Sequence, residues 1–235
     1  MQSQSFNLSA PPNFRGLDPD LPIRVYQRHL PHWRQDGATY FATCRLADSL
    51  PQDKLDALKR WREIWERANL PPRSERQWHE LAREITQRTD RWMDEGYGEC
   101  YFRDAANAEL MSNAFMHFQE QRYFTSCFCI MPNHCHVIVK PFSGFELEDI
   151  FDSWKGYVGF QINKRLNRHG RVWAEESYDR IIRDEEHLFH VVQYIRNNPR
   201  KAGLPKDQWH RWIHPVWQAA GWYFQDLYDA PTTTP

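Results

Sequence analysis

No stretch of this 235-residue chain approaches the run of roughly 18 apolar residues that a membrane-spanning helix needs. Its opening residues, MQSQSFNLSAPPNF, have neither the basic start nor the apolar core of a secretory leader, so a cytoplasmic location is expected. Cysteine is scarce. The five residues, Cys44, Cys100, Cys127, Cys129 and Cys135, are odd in number and contain no C-x-x-C pair, which argues against a disulfide framework or a standard zinc ribbon. They read as small apolar residues of the interior. A net charge of −1 lacks the overall basic excess common in nucleic-acid-binding proteins, yet residues 155–211 hold 12 basic against seven acidic side chains. Such a block is either a phosphate-facing surface or a solvated face.

What the chain does have is 41% hydrophobic and 15% aromatic residues, enough for one substantial core and one domain with an insertion. Residues 1–30, with four of the 15 prolines and little periodicity, read as an extended arm. Structure is expected to begin at GATYFATCRLADSLP, where aromatic and β-branched residues favour a strand. Two helical patterns follow. One carries Leu55, Leu58, Trp61, Trp65 and Ala68 up to Pro71-Pro72, and the other runs from about Ser74 to Met93, so the pair reads as a helical hairpin inserted over 52–98. A helix over about Asp104–Gln121 then precedes RYFTSCFCIMP and NHCHVIVKP, two apolar runs joined by a Pro-Asn turn. A further helix over roughly Glu146–Asn167, a short strand in ESYDRIIRD, and a helix capped by Asp184 and stopped by Pro199 complete the order. Without the insertion this is a βαββαβ plan. It predicts an α+β fold, a ferredoxin-like antiparallel sheet with helices on one face.

If HCHVIVKP is a strand, its period of two sends His134 and His136 to one face and Cys135, Val137 and Val139 to the other. Imidazoles about 6.5–7 Å apart along a strand can converge on one cation when a third ligand comes from elsewhere. Taken alone, H-x-H also fits a hydrogen-bonded structural pair. On the last helix Leu188, Val191, Val192 and Ile195 form an apolar stripe, and His187, His190, Tyr194 and Asn198 line up beside it. Tyr194 and Asn198 are either a surface pair or a phenolic nucleophile with an oxygen ligand one turn on.

Taken in order and spacing, MPNHCHVIVKP, SYDRIIRDEEHL and VVQYIRNNPRKAGL resemble the REP-associated tyrosine transposases, a branch of the HUH single-tyrosine transposase superfamily, over about Leu30 to Leu204. The resemblance implies an HUH-type catalytic domain over 31–205 and leaves a Trp-rich tail over 206–235. By motif position His134 and His136 are the paired metal ligands, Asn198 the third, and Tyr194 the nucleophile. Cys135 stands where a larger hydrophobe is usual. The expected activity is metal-dependent cutting and joining of single-stranded DNA at hairpin-forming REP-type sequences through a 5′-phosphotyrosine intermediate, with Mg²⁺ or Mn²⁺ as cofactor. A monomer is expected rather than a dimer, in the cytoplasm and associated with the nucleoid. The residues expected to contact DNA are Lys155, Lys164, Arg165, Arg168, Arg171, Arg180 and Arg183, interleaved with Trp154, Tyr157 and Trp173 as stacking surface. Two other readings stand beside this one: a domesticated protein that holds hairpin DNA without cutting it, and a structural zinc protein using Cys127, Cys129, Cys135 and the histidines.

Overall fold

The computed structural model describes residues 7–27 and 31–225. A two-stranded antiparallel ribbon, β1 (Arg24–Gln27) and β2 (Pro31–Arg34), precedes the main sheet. That sheet holds β3 (Tyr40–Arg45), β4 (Tyr123–Ile130), β5 (His134–Pro141), β6 (Tyr178–Ile181) and β7 (His210–Ile213) in the order β6-β3-β5-β4-β7, every neighbouring pair antiparallel. Between β3 and β4 lie α1 (Gln52–Ala68), α2 (Glu75–Asp94) and α3 (Ala105–Met116). The helix α4 (Leu147–Arg165) joins β5 to β6, and α5 (Glu185–Lys201) and the short α6 (Pro215–Ala219) follow. With β7 set aside, the strand order is fourth-first-third-second of the βαββαβ unit, the ferredoxin-like arrangement expected from the sequence. No helix of the described residues is long and apolar enough to cross a membrane.

All eight residues of β4 are buried, because helices cover both faces of the sheet. That is why RYFTSCFCIMP reads as a continuous apolar run rather than an alternating one. On one face Ala42, Cys44, Cys135, Val137 and Val139 meet Met111 and Phe115 of α3 and Trp154, Val158 and Ile162 of α4. On the other, Phe41, Phe124, Cys129 and Ile138 meet Leu188, Val191, Val192 and Ile195 of α5 together with Trp217 and Trp222. The two crossover helices thus share one face, and the additional helix α5 covers the opposite one. A slip of β5 by one residue would exchange its two faces, so the apolar set Cys135, Val137 and Val139 specifies where His134 and His136 must point.

Several local features differ from the sequence expectation. The arm contains β1, and its later residues run beside β6, where the Leu17 N–H bonds to the Ile182 carbonyl at 3.0 Å. At Gly16 a Cβ would lie 2.3 Å from the Arg183 carbonyl oxygen, so only glycine allows this approach. Helix α3 ends at Met116 rather than near Gln121, and α5 passes through Pro199 to Lys201 rather than stopping before it. Residues of the Trp-rich tail join the core: β7 extends the sheet beside β4, and the Trp217 and Trp222 indoles donate to the Pro12 and Ser9 carbonyls at 2.8 and 2.9 Å.

Candidate active site

The strand β5 places His134 and His136 on the α5 side of the sheet, both fully buried, with ring centroids 4.8 Å apart. Each ring is oriented through Nδ1. His134 Nδ1 lies 2.8 Å from Asn133 Oδ1, and the Asn133 amide is itself oriented because its Nδ2 donates to the Met93 and Tyr97 carbonyls at 3.2 and 3.1 Å. An amide oxygen only accepts, so His134 Nδ1 carries the proton and Nε2 presents its lone pair. His136 Nδ1 lies 2.8 Å from the Thr43 hydroxyl, which comes from the neighbouring strand β3. Burial pushes the His134 imidazole down to about 3, with the Lys201 charge adding to the effect. His136 is held well below the usual range, by burial first and the His134 charge second, opposed by the nearby Asn198 amide. Both rings are therefore neutral at pH 7, the form that ligates metals.

Asn198 on α5 completes a group of three. Its Nδ2 donates to the Tyr194 carbonyl at 2.9 Å, which leaves Oδ1 free, and His134 Nε2, His136 Nε2 and Asn198 Oδ1 are all buried without a hydrogen-bond partner. An unsatisfied buried polar group costs about 1–3 kcal/mol. Two imidazole nitrogens and an amide oxygen left without partners are the donor types that a divalent cation takes. The cysteine alternative is not assembled: Cys135 packs on the opposite face from Cys127 and Cys129, and burial raises all three thiols above their ordinary range, Cys129 to about 12. Among the described residues no group of three or more His, Cys, Asp and Glu side chains is placed to hold a metal.

Tyr194 lies one turn before Asn198, half-buried, edge-on to His136 at 5.3 Å and to Phe41 at 5.6 Å. Its hydroxyl donates to Asp90 Oδ2 at 2.6 Å, so a residue of α2 reaches the phenol of α5. The phenol is held above its ordinary range by burial and then by the Asp90 charge. Burial pushes Asp90 up to about 6, against the pull of the Tyr194 hydrogen bond and the Lys201 charge. Next along α2, Asp94 pairs with Lys201 of α5 at 2.7 Å.

The protein-family model described as "Transposase IS200 like" matches residues 102–198. Over those residues the chain is similar to the IS200-like transposases. That segment runs from just before α3 to the last turn of α5 and includes His134, His136, Tyr194 and Asn198, while Thr43 and Asp90 lie outside it. A solved structure of a REP-associated tyrosine transposase bound to a REP hairpin resembles the chain with a TM-score of 0.43 and 16% identity, over 77% of this chain and 75% of that one. A likeness at that level does not bear on residue roles. No curated protein matches the chain.

The residues expected to contact DNA divide between the two sides of the sheet and the interior. Trp154 and Trp173 are corrected to core residues. Trp154 is 2% exposed, packs edge-on to Phe115 and donates to the Tyr123 hydroxyl at 2.8 Å, and Trp173 is buried beside Phe102 at 5.5 Å. Neither can stack on a base. Lys155 is half-buried in a cleft lined by Glu148, Asp152, Glu175 and Glu176. Lys164 is exposed, Arg165 and Arg171 are exposed beside Asp104 and Glu175, and Arg168 is half-buried over the Tyr101 ring, all on the α4 layer or the loop after it. Arg180 lies instead on the histidine side, 5.3 Å from the Phe41 ring, and with Arg183 it lines a cleft between α2 and β6. Trp78 and Tyr178 share that cleft with Trp33 and Arg83, which were not singled out in the sequence. Nor were Thr43, Asn133 and Asp90. Only Asp90 left a readable trace, as an acidic residue on the inward stripe of α2 with Leu81, Ile85 and Met93.

Proposed function

We propose that this protein cuts and rejoins single-stranded DNA beside a hairpin, with Tyr194 as the nucleophile and His134, His136 and Asn198 as ligands of a catalytic Mg²⁺ or Mn²⁺. The observation that carries the reading is that three buried atoms, His134 Nε2, His136 Nε2 and Asn198 Oδ1, have no hydrogen-bond partner, with the two histidine rings 4.8 Å apart and Tyr194 5.3 Å from the His136 ring. The IS200-like match supports it at the level of the family. The bound ion would polarise the scissile phosphate and offset its charge. Tyr194 Oη attacks phosphorus, the bond from phosphorus to the 3′ oxygen breaks, and the DNA is left joined to the protein through a 5′-phosphotyrosine with a free 3′ hydroxyl. Reversal of the same step by another 3′ hydroxyl rejoins a strand, so no nucleotide triphosphate is consumed. The oxygen of the Asn198 amide and the two ring nitrogens are held by their own second hydrogen bonds, which keeps the ligand set in place before substrate arrives. REP-type hairpins are the expected substrate, engaged by a monomer at the nucleoid. Incubating the chain with end-labelled single-stranded hairpin DNA and Mn²⁺ tests this: a covalent adduct on a denaturing gel is expected. Hairpin binding with no adduct would favour the domesticated, non-cleaving reading.

A further inference from the structure

We propose that Asp90 is the general base that takes the proton from Tyr194 as the phenol attacks, so that α2 is part of the catalytic apparatus. The inference rests on the nucleophile assignment above and deepens it. The Tyr194 hydroxyl donates to Asp90 Oδ2 at 2.6 Å, and Asp90 is 6% exposed. A phenol with a pKa of about 10 is a weak nucleophile until its proton leaves, and a positioned acceptor must lie within hydrogen-bond reach of it.

The placement of α2 is not incidental. Leu81, Ile85 and Met93 are buried, Lys201 of α5 pairs with Asp94 at 2.7 Å, and the Asn133 amide that orients His134 also bonds the Met93 carbonyl at 3.2 Å. One asparagine thus joins the metal-ligand strand to the helix that carries the base. Around Asp90 the charged and titratable groups are Tyr194 and Lys201 on α5, Asp94 on α2 and Arg180 on β6. Two cations near a buried carboxylate keep it available in its ionised form, and burial makes it a stronger acceptor than an exposed one.

In the forward step the Tyr194 O–H bond breaks with the proton passing to Asp90 Oδ2, and the oxygen pair forms the bond to phosphorus. The bond from phosphorus to the 3′ oxygen breaks, and that oxygen leaves with the pair and takes a proton from water. In the joining step an incoming 3′ hydroxyl attacks the phosphotyrosine and gives its proton to water, while Asp90 returns its proton to the departing phenolate. A carboxylate that merely restrained the resting phenol would give the opposite outcome when removed.

The experiment is single-turnover adduct formation by the full chain on labelled hairpin DNA with Mn²⁺, comparing wild type, Asp90→Asn and Tyr194→Phe. Asp90→Asn is expected to slow adduct formation by about 10²–10⁴-fold with hairpin affinity kept within about twofold. Placing 3,5-difluorotyrosine at position 194 of the Asp90→Asn chain should restore at least about tenfold, because a more acidic phenol depends less on a base. An Asp90→Asn rate within twofold of wild type, or above it, overturns the proposal, as does a difluorotyrosine chain no faster than Asp90→Asn itself. Should Asp90→Asn fail to fold, Asp90→Glu carries the test: a displaced carboxylate is expected to slow the step at least about tenfold, and an undiminished rate overturns it. An adduct formed by Tyr194→Phe would instead overturn the nucleophile assignment, whereas an inert Tyr194→Phe beside a fully active Asp90→Asn removes the Asp90 proposal alone.

Discussion

Two buried polar clusters, one on each side of the five-stranded sheet, are treated in opposite ways. On the α4 side, at the β6 edge, His32, Arg34 and Asp179 are all nearly inaccessible and all paired. His32 Nδ1 lies 2.7 Å from Asp179 Oδ2, Arg34 Nη2 donates to Asp179 Oδ2 at 3.1 Å, and Arg34 Nε donates to Glu148 of α4 at 2.7 Å. On the α5 side, His134 Nε2, His136 Nε2 and Asn198 Oδ1 are equally inaccessible and have no partner. A satisfied network fixes architecture, here by tying β2, β6 and α4 together, whereas an unsatisfied one is costly unless something outside the chain completes it. The alternation of β5 sends His134 and His136 to the α5 side and keeps Cys135, Val137 and Val139 in the α3 and α4 core.

The sharpest way to break this contrast is to remove the chemistry without touching the fold. Tyr194→Phe deletes one hydroxyl and should abolish the covalent adduct, while the chain still unfolds cooperatively and still binds hairpin DNA in fluorescence anisotropy. His134→Ala and His136→Ala should each lower Mn²⁺ affinity at least about a hundredfold in calorimetry, with Asn198→Ala smaller in effect because an amide is the poorest donor of the three. The converse substitution lies one layer away. Phe115→Ala, in the α3 and α4 core, should lower stability by about 3–5 kcal/mol in urea unfolding yet leave Mn²⁺ affinity of the folded protein unchanged. Loss of metal affinity in Phe115→Ala would mean that the two faces are not separable.

Smaller effects sharpen the same comparison through pH and surface charge. His32 is opposed by its own burial, yet the Asp179 and Glu176 carboxylates raise it to about 9. Because the folded value lies above the ordinary value of about 6.5, its stabilising contribution is fully present below pH 6.5 and is lost as pH rises through about 9. Urea unfolding at pH 6, 7.5 and 9.5 should show this decline, and His32→Gln should flatten it. The smallest effect is expected for Lys201→Met, whose ion pair with Asp94 is half-exposed on the lysine side: a loss below about 1 kcal/mol that shrinks further in salt.

How much of this was legible in the sequence follows from which forces act locally. The strands β3, β4, β5 and β6 and the helices α1 to α5 were visible as apolar runs or periodic patterns, and so was the placement of His134 with His136 and of Tyr194 with Asn198, since strand and helix periods fix those pairs. The four-residue strands β1, β2 and β7 carry too little alternation to be read, and they form because a partner strand lies beside them. Pro199 misled because a proline in the last turn removes one bond of a helix whose interior Ile195 and Asn198 already anchor. Trp154 and Trp173 misled in another way: aromatic residues among cations look like a stacking surface, but their burial depends on α3 and on Phe102, distant in sequence. Asp90 meets Tyr194 across 104 positions of chain, and no local pattern announces such a contact.

The most direct measurement is to map the site of covalent attachment. The chain is reacted with hairpin-bearing single-stranded DNA and Mn²⁺, digested with protease and nuclease, and the nucleotide-bearing peptide is sequenced by mass spectrometry. The account predicts one 5′-phosphotyrosine, at Tyr194, formed only with divalent metal and absent from His134→Ala and His136→Ala. Attachment at another residue such as Tyr178, or attachment at Tyr194 that persists without metal, would contradict it.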